Sequence, residues 1–123
     1  MAALKEKAIT LLGSLSGVNM QTAGGSQTIF TVPNGKVARI AFVVIRDISA
    51  TLAGGTSFAF TSWRSGVDLS GMTTANTIYR FLNVTDNTNF TELAGGTAFQ
   101  ITPTTGSTGA ATATVDVFGY LTN

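Results

Sequence analysis

Two runs of this chain alternate clearly in side-chain character. Lys36 to Ile48 sorts into Val37, Arg39, Ala41, Val43, Ile45 and Ala38, Ile40, Phe42, Val44, Arg46. Both sets are mostly apolar, which predicts a central strand covered on both faces in its middle. Arg39 and Arg46 mark where that strand reaches water or a carboxylate. Thr112 to Leu121 alternates Thr114, Asp116, Phe118, Tyr120 with Ala113, Val115, Val117, Gly119, and predicts a second long strand. Shorter strands are predicted at Gln27 to Val32, Ser57 to Thr61, Thr77 to Val84, Phe90 to Leu93 and Ala98 to Thr102. At the N-terminus, Leu4, Ala8, Leu11 and Leu12 share one helical face until Gly13 stops the pattern. An extended reading of Ala8 to Leu12 as a first strand fits equally. The expected organisation is an N-terminal arm or first strand over 1–12 and one domain over 13–123. The fold class is all-β: a two-sheet antiparallel sandwich, jelly-roll-like, of about eight strands.

A repeated phrase punctuates the strands. "LAGGT" occurs at Leu52 to Thr56 and Leu93 to Thr97, with a looser "TAGGS" at Thr22 to Ser26. Each reads as a Gly-Gly bend, about five strand residues and a turn closed by Gly. The unequal spacing does not fit a solenoid, so this reads as one local solution used three times, with coincidence in a Gly/Thr-rich chain as the alternative. "VPNG", Val32 to Gly35, is a further turn signal. The longest irregular stretch, Ser62 to Asn76, is the expected contact-bearing loop.

Composition narrows the function. The 123 residues contain no His and no Cys. That removes the commonest general base near neutral pH, the commonest metal ligand and all thiol chemistry. Charged residues are 11% of the chain and the formal net charge is +1. Seven scattered cations build no basic face, so a nucleic-acid partner is not expected. The longest apolar run, Ile40 to Ile45, falls far short of the ~20 residues of a spanning helix, so no membrane partner is expected. The short, interrupted apolar stretch after Lys7 does not read as a secretory leader. High apolar content with few charges points to surface covered by identical subunits or a larger assembly.

Few residues suggest chemistry. Asp86, Asn87, Asn89 and Glu92 are hard oxygen donors, but their spacing is not that of an EF-hand, and turn-forming roles fit better. Asn83 and Asn89 match the glycosylation pattern within a Thr/Asn-rich stretch. Trp63 beside Arg64, with Tyr79 beside Arg80, could stack on a sugar or base, although packing at a sheet edge or a subunit contact explains them better. No spacing pairs two carboxylates for glycoside hydrolysis. An enzyme is not expected, nor any catalytic residue, metal or cofactor.

"LLGSLSGVNM", "TIFTVPNGKVARIAFVVIR" and the terminal "TATVDVFGYLTN" together resemble small virion structural proteins of tailed bacteriophages. Thr31, Val32, Pro33, Gly35 and Lys36 match the turn of that pattern. Val115, Val117, Gly119, Tyr120 and Leu121 match its close. The resemblance implies a β-sandwich on the particle, made in the host cytoplasm. The first expectation is a capsid decoration (cement) protein bridging subunits of the major capsid protein, itself a homo-oligomer and a trimer. Lys5 and Lys7 on the N-terminal arm are its candidate contacts, although a frayed terminus explains that arm equally. The alternative is a tail- or fibre-associated jelly-roll module that binds a host-surface glycan through Trp63, Arg64 and Tyr79.

Overall fold

A computed structural model describes residues 8–62, 64–74, 78–82 and 91–123. Those residues form nine strands and no helix. In chain order these are β1 (Thr10–Asn19), β2 (Gln27–Thr31), β3 (Val37–Arg46), β4 (Ser57–Phe60), β5 (Arg64–Asp68), β6 (Ile78–Leu82), β7 (Thr91–Ala94), β8 (Ala98–Thr105) and β9 (Thr112–Thr122). One antiparallel sheet runs β1-β9-β3-β6, with β7 also pairing with β3, and the other runs β2-β8-β4-β5. β6 takes residues 42–46 of β3 and β7 takes residues 37–40, so the two share one place beside it. The result is two sheets of four places.

The pairing is nested. β4 pairs with β5, β3 with β6 and β7, β2 with β8, and β1 with β9. A long antiparallel ribbon with these four rungs, rolled so that β9 meets β3 and β8 meets β4, is a jelly roll. Rolling closes the apolar faces on one another. Ala38, Ile40, Val43 and Ile45 of β3 and Val115 and Val117 of β9 meet Phe58, Phe60, Phe99 and Ile101 of the opposite sheet in one core. The Phe60 and Phe99 rings stack within it at 6.0 Å.

The three copies of the repeated phrase lead into β2, β4 and β8, which lie side by side in the four-stranded sheet. The bends differ in detail. Gly24 and Gly54, the first glycines of their pairs, have φ of 82°, whereas in the third copy the second glycine, Gly96, has φ of 86°. That third bend packs against the "VPNGK" turn. The Val32 N–H donates to Thr97 O at 2.9 Å, and the Gly96 N–H donates to Val32 O at 2.8 Å. A Cβ on Gly95 would stand 3.0 Å from both Pro33 O and Lys36 O, so only glycine fits there without displacement. Asn-Gly often closes a hairpin. Here it carries the chain from β2 in one sheet to β3 in the other.

Three sequence expectations change. Gly13 does not end the first element, because β1 continues to Asn19. Its backbone bonds go to β9 across two register irregularities, one of them accommodating Gly17 at φ 67°. Leu11 and Leu12 lie on β1 and not on a helix: Leu12 packs on the core while Leu11 is exposed. Residues 62–76 are not one irregular loop, since Arg64–Asp68 forms β5 against β4.

Candidate interaction surface

The outer face of the five-stranded sheet gathers residues remote in sequence. Opposed residues on neighbouring antiparallel strands share a face. Leu11 on β1 stands opposite Phe118 on β9, and Phe118 opposite Phe42 on β3. The Phe42 and Phe118 rings stack with centroids 4.8 Å apart and planes 19° apart. Leu11 is 54% exposed, and Ile9, just before β1, is 46% exposed. They are the large exposed apolar side chains among the described residues. Among the described strands β1 is also an edge strand, paired with β9 on one side only. Ile9 to Asn19 holds no charge and no Pro, the usual guards of an edge, and relies on its two irregularities.

Beside this apolar row lies a polar tie across three strands. Ser14 on β1 is opposite Asp116 on β9. Its hydroxyl donates to Asp116 Oδ1 at 2.5 Å. From β3, the Arg46 Nε–H donates to Asp116 Oδ2 at 2.7 Å, and Arg46 Nη1 donates to Asp47 Oδ2 at 2.7 Å. Asp47 follows β3 at φ 55°, a left-handed conformation that Asp tolerates better than most residues. Asp116 is only 7% exposed. Burial pushes its carboxyl up, but hydrogen bonds from Arg46 and Ser14, with the Arg46 charge, hold it below the ordinary carboxylate range. The same contacts raise the Arg46 guanidinium further. A second pair, Arg39 with Glu92 at 2.5 Å, is more exposed. The face is therefore apolar in the middle, with the Arg46–Asp116 and Arg39–Glu92 pairs on either side.

Of the candidate contacts from the sequence, Arg64 and Tyr79 lie on described strands. Lys5, Lys7 and Trp63 lie outside the described residues, as do Asn83 and residues 85–90. Arg64 lies on β5 of the four-stranded sheet and Tyr79 on β6 of the five-stranded one, so their strands do not share a sheet. Glu92, grouped in sequence with Asp86, pairs instead with Arg39. Among the described residues no three of His, Cys, Asp and Glu cluster as metal ligands would. A shallow depression is lined by Asn19, Thr22, Gly25, Ser26 and Gln27, whose polar groups largely serve one another. Gln27 bonds both the N–H and the C=O of Asn19, and Asn19 Nδ2 donates to Thr22 Oγ1.

The row Leu11, Phe118, Phe42 and the tie Ser14, Asp116, Arg46 were not singled out in the sequence. The available signal was the outward set of β9, where Asp116 and Phe118 fall, beside the outward Phe42 and Arg46 of β3. Comparison with known proteins adds no relative: no family model, curated protein or solved structure matches the chain.

Proposed function

We propose that this chain is a structural protein of a tailed-bacteriophage particle, a capsid decoration protein that bridges neighbouring subunits of the major capsid protein. The observation that carries the reading is Leu11 and Ile9 exposed on an uncharged edge strand beside the Phe118–Phe42 stack. Covering that row by another chain removes apolar area from water, at about 25 cal/mol per Å² before association costs. A strand or arm added along the open edge of β1 would satisfy its free backbone groups. Copies arranged as a trimer would reuse one contact, and several weak contacts on a particle would add through multivalency.

The motif residues of the virion resemblance are builders of this fold. Val32, Pro33, Gly35 and Lys36 form the joint between the sheets, and Val115 and Val117 lie in the core. Such residues carry no function by themselves, and function is argued from the exposed row. The glycan-binding reading needs Trp63, Arg64 and Tyr79 to converge, and nothing described favours it.

The test mixes purified protein with empty capsids of the phage that encodes it and, separately, with host cell-wall polysaccharide. The chain is expected to co-sediment with capsids and the Leu11→Asp variant to do so far less. Binding to polysaccharide with none to capsids would overturn the reading.

A further inference from the structure

The joint between β2 and β3 carries a chemical feature independent of the interaction surface. Of the asparagines in the chain, Asn34 is the one followed by glycine. Both residues are exposed. The Asn34 side-chain amide makes no hydrogen bond among the described residues, and neither does the Gly35 N–H. Gly35 has φ of 80° and no side chain to shield its nitrogen. A bare Gly96 leaves room beside the amide, since a Cβ there would stand 3.3 Å from Asn34 Oδ1. One hydrogen bond spans the turn, from Lys36 N–H to Pro33 O, and at 3.2 Å it is at the long end of the normal range. Among the described residues no other hydrogen bond holds the Asn34–Gly35 peptide, although Gly95 packs against it, a Cβ there standing 3.2 Å from the Gly35 nitrogen.

Asn19 is the internal contrast. Its Oδ1 accepts from the Gln21 and Thr22 N–H groups at 2.8 and 3.0 Å, and its Nδ2 donates to Thr22 Oγ1. The next residue is Met20, whose side chain crowds the nitrogen that would have to attack and is itself fully buried.

We propose that Asn34 is a site of spontaneous deamidation, hydrolysed through a cyclic imide formed by the Gly35 nitrogen. The Gly35 nitrogen loses its proton to hydroxide and attacks Asn34 Cγ. The new C–N bond closes a five-membered ring, the Cγ–Nδ2 bond breaks, and ammonia leaves with a proton from water. Water then opens the imide at either carbonyl. One opening gives aspartate at position 34, and the other gives an isoaspartyl linkage with one extra backbone carbon. The net reaction is amide plus water to acid plus ammonia, with no change of oxidation state.

The position gives the reaction consequences. Seven cations against six anions become seven against seven, so the formal charge falls from +1 to zero. A protein without net charge associates more readily. The isoaspartyl form lengthens the chain where Gly95 already packs closely on Pro33 and Lys36. This ageing therefore falls on the joint between the sheets.

The native full-length protein is incubated in mildly alkaline buffer and mapped with trypsin beside a free peptide spanning residues 8–36. The expected result is the amide-to-acid mass gain at position 34 in both, faster at higher pH, within about tenfold of the peptide's rate in the folded protein. An isoaspartyl methyltransferase is expected to label the aged protein, and Asn34→Gln to abolish both signals while keeping the native circular dichroism. A folded protein that stays unmodified at Asn34 after the peptide has fully converted would overturn the proposal. So would a mass gain confined to other asparagines.

Discussion

Arg46 and Asp116 join β3 to β9 on the outer face of the five-stranded sheet, and Ser14 of β1 bonds the same carboxylate. One acid thus fastens the edge strand to the centre of its sheet. A carboxylate only 7% exposed is costly unless its charge is met, and two donors meet it here. Asp116→Asn keeps the volume and removes the charge. It is expected to destabilise the fold by roughly 1–3 kcal/mol, read as a lower urea midpoint. Glu92→Gln removes an exposed pair and is expected to cost about 1 kcal/mol or less.

The dependence on pH follows from the same group. Asp116 has a folded pKa below its ordinary value. Its contribution is therefore complete above the unfolded value, near 3.9, and is lost as pH falls through the lower folded value. Asp68 shifts the same way through bonds from Ser70. No His or Cys titrates between. Thermal midpoints are expected to be nearly flat from about pH 6 to 8 and to fall below about pH 4. In Asp116→Asn that acid-side fall is expected to be shallower.

Two glycines separate close approach from open space. A Cβ on Gly119 would stand 1.9 Å from Arg39 O, where β9 meets the irregularity of β3. Gly119→Ala is expected to cost about 2–3 kcal/mol. Around Gly55 nothing lies within 4 Å and φ is not left-handed. Gly55→Ala is expected to be neutral or to stabilise by up to about 1 kcal/mol through the unfolded chain. Chemical unfolding of both variants beside the parent checks the pair.

The strands legible in the sequence are those whose side chains alternate for reasons of burial. β3 and β9 stand out because they are central, and the pairing of Arg39 and Arg46 with carboxylates follows from charges on an otherwise apolar strand. β5 has no such signature. Arg64, Ser65 and Gly66 do not alternate, and the segment is a strand because β4 pairs with it. β1 continues past Gly13 for the same reason, its Ser and Gly residues being held by β9. The Ser14–Asp116–Arg46 tie joins residues 102 and 70 positions apart, a separation that only the roll of the ribbon brings together. Arg64 and Tyr79 looked like a shared platform by residue type, yet the same roll sends their strands to different sheets.

We propose that the outer face around Leu11 is covered by another chain in the working assembly. Sedimentation equilibrium at micromolar concentration compares the parent with Leu11→Asp, with circular dichroism to verify that both are folded. Leu11 is 54% exposed, so the substitution is not expected to disturb the core. The parent is expected to sediment as a closed oligomer, a trimer, and Leu11→Asp as a monomer with an unchanged spectrum. A parent that is monomeric in solution and sits on capsids as isolated copies, with the variant binding equally well, would contradict the claim.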